Sequence, residues 1–211
     1  MAIPPITDAQ ARAITGVATL GTTAVTEGSN LARYIGRIVG TTPEDAIGLV
    51  IGDPLHAVRT LAAGWYDIKV QEILERRRVK QTQPVSLSVA LPLVRGAYDE
   101  SREGLRELWA QLIATAMDPS RSDRVRISFI DTLKRFDPID ALVLKTLHDA
   151  PDSQKRPSVA EYVANAVRAS LDEVMISKEN LEELKCVTTV STHTNFLITR
   201  YGRGLLRACS D

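Results

Sequence analysis

Cysteines, long apolar runs and any excess of charge are scarce or missing in this chain of 211 residues. Its two cysteines, Cys186 and Cys209, form no CxxC pair and have no histidine pair nearby. That rules out a disulfide framework or a zinc site built on cysteine. They read as small core hydrophobes or free thiols of a reducing compartment, so a cytoplasmic location is expected. The 26 basic residues are matched by 26 acidic ones, whereas a dedicated nucleic-acid binder usually carries a basic excess. The start, MAIPPITDAQ, has neither the basic residues nor the apolar run of a signal peptide. The longest uncharged stretch near it, Ala13–Thr26, is shorter than the roughly 20 residues of a membrane-spanning helix and is diluted by threonine and glycine.

Motifs that carry chemistry are missing as well. There is no HExxH, GxSxG, P-loop or GxGxxG. His56, His148 and His193 fall in different predicted elements. Acids such as Asp99, Glu100, Glu103 and Glu107 suit an exposed helix face better than an acid–base pair. No catalytic residue, cofactor or metal is expected.

What is present is helical patterning, in three parts. Residues 1–82 are rich in glycine and alanine, densest between Ala11 and Gly64. Gly36 and Gly40, four apart, suit close helix packing, either inside a soluble bundle or in a membrane-active hairpin. Thr42-Pro43-Glu44 supplies a cap, a first-turn proline and an acid for a helix toward Ile51. Asp53-Pro54 opens a long helix to about Lys80, with Leu55, Val58, Leu61, Ala62, Trp65, Ile68, Ile73 and Leu74 on its inner face. Arg76, Arg77, Arg78 and Lys80 at its end are the one candidate patch for an anion or partner. They also complement the helix dipole, which is the plainer reading.

Residues 83–136 are read as central amphipathic helices. Ser86–Val94 is a short apolar helix carrying Pro92. Leu105, Leu108, Trp109, Leu112, Ile113 and Ala116 then recur at i, i+3, i+4 and i+7, up to Asp118-Pro119. This stripe places Trp109 in the core, and Trp65 is assigned to the core as well or, since it flanks Gly64, to an interface. Phe129, Ile130 and Leu133 mark another helix, closed by Phe136.

Residues 137–211 change rhythm. Asp137-Pro138 caps a helix with Ile139, Leu142, Val143 and Leu147 inward. Ser158–Glu161 and Ser170–Glu173 are capping boxes, and Ser177 is read as the cap of a helix with Leu181 and Leu184. Val187–Ser191 and Asn195–Thr199 flank Thr192-His193-Thr194 as a hairpin, and a helix with Leu205, Leu206 and Ala208 follows. The order matches a winged helix-turn-helix. The fold class is therefore mainly α, a multi-helix bundle followed by a winged-helix-like unit with a two-stranded hairpin. Its recognition helix would be Lys178–Lys185, where Glu179, Glu182 and Glu183 would repel phosphates, so specific binding to duplex DNA is not expected.

The runs LRELWAQLIATAMDP, SFIDTLKRFDPIDALVLKTL, NLEELKCV and TRYGRGLLRACS together resemble the abortive-infection alpha family, over roughly residues 84–209. The resemblance implies a bacterial or phage-encoded protein tied to defence against phage, and brings no catalytic motif with it. The expected function is a non-enzymatic defence protein that binds a protein partner or itself. A membrane-perturbing effector using the N-terminal helices and a winged-helix DNA-binding regulator are the alternatives. Residues 1–82, poor in large apolar side chains, are expected to need support from the other half or from a second copy.

Overall fold

The computed structural model describes residues 35–40, 56–149 and 158–211. Two compact units divide the chain, Met1–Ile68 and Lys69–Asp211. The helix expected from Thr42 to Ile51 and most of the Ala11–Gly64 region lie outside the described residues. No helix among the described residues is long and apolar enough to cross a membrane.

In the first unit a helical turn over 35–39 buries Ile35 and Ile38, and Arg37 pairs with Asp67 at 2.6 Å. Gly40 stops that turn. Its φ of 75° is open to glycine, and its N–H donates to the Gly36 carbonyl at 2.7 Å. Gly40 itself is exposed, so it acts as a helix stop rather than as a packing face.

Helix α1 (His56–Arg76) crosses the boundary between the units. Its buried positions are Tyr66, Val70, Ile73 and Leu74, an i, i+4, i+7, i+8 stripe. Of the expected inner face, Ile73 and Leu74 are buried as the pattern requires, Leu55, Val58, Leu61 and Ala62 lie outside the residues whose side chains are described, and Trp65 and Ile68 depart from it. Trp65 is half-buried with its ring edge-on to Tyr66, and Ile68 is 65% exposed. With Tyr66 at the stripe's centre, Trp65 falls 100° to one side and Ile68 on the far side.

In the second unit, α2 (Leu87–Asp99) runs past Pro92 to Asp99, and α3 (Glu103–Met117) follows. Trp109 is fully buried, as its stripe requires. Its ring lies on Gly96 of α2, where an added Cβ would come within 2.4 Å of the ring carbon Cη2. The two helices approach this closely because residue 96 has no side chain. Leu108 is only half-buried, while every residue from Leu112 to Met117 is buried. A 3₁₀ turn, Ser122–Arg124, leads to α4 (Ile127–Leu133), after which Phe136 is buried.

The remaining elements are α5 (Pro138–Asp149), α6 (Val159–Val167), α7 (Leu171–Glu183), β1 (Val187–Val190), β2 (Thr192–Ile198) and α8 (Arg200–Ala208). The described residues are mainly helical with one small antiparallel sheet near the C-terminus, in the order the sequence predicts. The hairpin turn is tighter than expected. It lies at Ser191, with φ 62°, and Thr192-His193-Thr194 already belong to β2. Val187 pairs with Ile198 and Thr189 with Phe196, and the register then shifts so that Val190 faces Thr192. That irregularity absorbs the residues a longer turn would have used.

An inner-face assignment and a cap assignment also change. Leu142 is 52% exposed, and the buried stripe of α5 is Asp140, Val143, Leu144 and Leu147. Ser177 caps nothing. It lies inside α7, and its hydroxyl donates to Asp140 Oδ1 at 2.6 Å. Ser170 and Glu173 do form the reciprocal capping box at the start of α7. At α6, the described bond is Glu161 N–H to Ser158 Oγ, at 3.2 Å.

Glu182 joins α7 to the hairpin. It accepts from Lys178 Nζ at 2.6 Å and from the Thr189 N–H at 2.9 Å. These bonds, the Lys178 contact foremost, hold its carboxyl at about 2.

Two outcomes are expected. Trp109→Ala should lower the unfolding free energy by about 3–5 kcal/mol, and Gly96→Ala should also destabilise, because its methyl has no room beside the ring. Denaturant titrations of both variants check this, and an unchanged midpoint in either refutes the contact. For Glu182, the folded-state value lies below the unfolded one. Its contribution is therefore present above the unfolded value of 4.5 and is lost as pH falls toward about 2. Unfolding titrations at pH 7 and pH 3 should show a smaller acid loss in Glu182→Gln than in the parent, and an identical loss would remove Glu182 from the account.

Candidate anion-binding groove

The four basic residues at the end of α1 divide in the structure. Arg77 turns inward, its side chain 2% exposed. Its guanidinium donates to Gln111 Oε1 at 2.7 Å, the Ser210 carbonyl at 2.8 Å, Thr115 Oγ1 at 3.1 Å and Asp211 Oδ1 at 3.1 Å. Burial pulls its pKa below the ordinary value, against the pull of Asp211. Arg76 pairs with Asp211 at 2.6 Å. Arg78 and Lys80 are exposed. The four side chains therefore do not share one surface.

Helix α1 ends at Arg76 rather than near Lys80, and Arg78 explains why. Its φ of 58° is left-handed. The Val79 N–H reaches back to the Leu74 carbonyl at 2.9 Å and the Arg78 N–H to that of Glu75 at 2.8 Å, a Schellman stop. Lys185 closes α7 in the same way, with φ 61° and Cys186 N–H bonded to the Leu181 carbonyl at 2.8 Å. Both stops use a basic residue where glycine is usual.

Other polar groups are tied up in structure. Asp140 is 1% exposed, and burial raises its pKa. Besides Ser177, it accepts from Asn180 Nδ2 at 2.6 Å and from the Asp137 N–H at 2.7 Å. Burial pushes both thiols up to about 12, where little nucleophilic thiolate forms near neutral pH. His148 and His193 are exposed on separate elements. No cluster of three His, Cys, Asp or Glu placed to hold a metal occurs among the described residues.

One surface is different. A half-open groove of about 630 Å³ lies between the segment leading into α4 and the face of α8. Arg124 and Arg126 line one side, Arg200 and Arg207 the other, with Asp123 as the one carboxylate of the lining. All four arginines are exposed. Among the described residues none of the four takes part in an ion pair.

The walls are firmly placed. Thr199 caps α8, accepting from the Gly202 N–H at 3.0 Å and donating to the Lys185 carbonyl at 2.6 Å. Tyr201 spends its single proton on the Ser128 carbonyl at 2.8 Å, so Thr132 Oγ1 donates to the Tyr201 oxygen, also at 2.8 Å. The Tyr201 ring meets Phe129 edge-on, with centroids 5.1 Å apart. Gly204 leaves the groove open beside Phe129, whose Cζ would sit 3.2 Å from an added Cβ.

Sequence reasoning missed this site. The available signal was the recurrence of arginine at 200, 203 and 207, one face of a helix, and at 121, 124 and 126. Each run alone reads as solvated charge, and only the fold brings the two together.

One outcome follows from the helix stops. Arg78→Gly removes the left-handed strain of a residue with a Cβ but frees the unfolded chain. The net expectation is a gain of about 0.5–1 kcal/mol, readable as a raised melting temperature, and a lowered one would refute the stop.

A family model described as abortive infection alpha matches residues 65–194, more than half of the chain. The match takes in Arg124, Arg126 and Phe129, while α8 lies beyond it. Searches of curated proteins and of solved structures find no match. The helical region that carries the Trp109 stripe, the buried Asp140 and most of the hairpin thus has the sequence profile of one family, and the chain belongs to the abortive infection alpha family.

Proposed function

We propose that this protein serves abortive-infection-type defence by binding rather than by catalysis, and that the groove between the α4 segment and α8 is its binding surface for an anionic partner. The observation that carries this reading is the set of four arginines facing one cavity without carboxylate partners among the described residues. Holding like charges together costs energy unless a ligand neutralises them. The firm walls argue for a preformed site, which loses less entropy on binding. In favour of a non-catalytic role, Asp140 is fully engaged and both thiols are buried. On this reading α5 to α8 with the hairpin form a winged-helix-like platform, used through α8 rather than through α7.

Self-association is the second reading, favoured by one observation. The outer face of α7 exposes Asp172 and Glu179 around Ile176, itself 68% exposed, and its sign complements the groove.

The test is a phage-challenge plating assay with the triple variant Arg124→Ala, Arg200→Ala, Arg207→Ala. All three side chains are exposed, so folding should be kept, as circular dichroism would show. Protection is expected to fall at least tenfold. Full protection by the folded variant would overturn the reading.

A further inference from the structure

We infer that the anion taken by this groove is the phosphodiester backbone of a single-stranded nucleic acid, held without regard to sequence. The inference rests on the groove being the functional surface.

The chemistry of the four side chains is the first ground. All are arginine, whose planar guanidinium donates two parallel hydrogen bonds to a phosphate, where lysine offers only a point charge. Their spacing is the second. Arg200 and Arg207 stand two turns apart on α8, a rise of about 10.5 Å, and Arg124 and Arg126 face them across the cavity. Charges anchored along two walls can engage several phosphates at once. They suit a chain of phosphates that passes between them. Shape is the third. A cavity of about 630 Å³ is of the size that holds small ligands, roughly 300–1,000 Å³. It admits a nucleotide or two of a flexible strand and not the rigid cylinder of a duplex.

The ring of Tyr201 supplies the remaining element. It is half-buried in the wall, fixed by its hydroxyl bonds to α4 and edge-on to Phe129. A base or sugar can lie on such a ring whatever its identity, which is how sequence-tolerant binders of single strands gain contact beyond charge. Apart from the arginines that the phosphates engage, the groove offers no row of side-chain amides or acids to read base edges. Helix α7, which a winged-helix platform would present to a duplex, exposes Asp172 and Glu179, groups that a duplex backbone repels.

The experiment uses the full chain and fluorescence anisotropy with labelled oligo-dT and oligo-rU of about 12 nucleotides, titrated between 50 and 300 mM salt. The two probes distinguish DNA from RNA as the source of the same backbone chemistry, and binding of either supports the inference. Four phosphate contacts on a single strand predict a log–log salt slope near −3. The double variant Arg200→Ala, Arg207→Ala should lower affinity at least tenfold and roughly halve that slope, whereas Arg200→Lys, Arg207→Lys should keep the slope. Tyr201→Leu should lower affinity with the slope unchanged, and an unfolded Tyr201→Leu protein leaves the arginine variants to decide. An unlabelled duplex of the same length should compete at least tenfold less well than the single strand.

Several results would overturn the inference. These are no binding of either oligonucleotide at 50 mM salt, equal competition by the duplex, or equal competition by inorganic tripolyphosphate. Affinity indifferent to the arginine variants would do the same, as would concentration-dependent dimerisation that Arg207→Ala abolishes while oligonucleotides leave it untouched. The two levels separate cleanly. If the triple alanine variant loses phage protection but the parent binds no oligonucleotide, the groove stands and its ligand is another anion. If oligonucleotides bind as described and the triple variant still protects, the ligand stands and the groove is not the defence surface.

Discussion

A carboxylate buried without a cation beside it has to be given hydrogen-bond donors, and the placement of Asp140 at the core of the second unit constrains what surrounds it. Burying such a group unaided would cost several kcal/mol. Its three donors come from two helices: the Asp137 N–H at the start of α5, and Ser177 and Asn180 on α7. Meeting all three leaves little freedom in how α5 and α7 cross. The position of α7 in turn fixes β1 through the Glu182–Thr189 bond and α8 through the Thr199 bond to the Lys185 carbonyl. Tyr201 then carries the constraint across to α4. The arginine groove is the last link of that polar relay.

The balance of 26 basic and 26 acidic residues describes the chain and not its surfaces. Folding sorts the charge. Arg77 is drawn inside by Gln111, Thr115 and residues 210–211, Arg102 is held between Glu100 and Asp137, and Arg135 pairs with Glu183. What remains around the groove is nearly all of one sign. Local field rather than net charge governs what a protein attracts at short range, since exposed charges beyond about 8 Å are largely screened at physiological salt.

Much of the fold was legible in the sequence. The Trp109 stripe, the Ser170–Glu173 box and the β-branched and aromatic run Asn195–Thr199 all report a local rule, and no distant residue overrides them. The misplacements in α5 and α7 share one cause. An apolar pattern that leaves Asp140 out turns Leu142 inward, and treating the buried acid as apolar moves the stripe to Val143, Leu144 and Leu147. Ser177 looked like a cap for the same reason, its true partner being 37 residues away in sequence. The end of α1 was extended because a left-handed arginine leaves no mark of the kind glycine does. The groove is less legible still, since its two walls lie over 70 residues apart and neither is unusual by itself.

That separation has a consequence for the order of events during synthesis. A chain leaves the ribosome N-terminus first, and residues 124–129 emerge well before residues 200–207. Until α8 has docked through Thr199 and Tyr201, the first wall faces open water and no concave surface exists. Completion of the site is therefore coupled to completion of the fold. A nascent chain stalled before residue 200 would display a pair of exposed arginines on a loop, with weak and unfocused attraction for anions, and nothing resembling the finished groove.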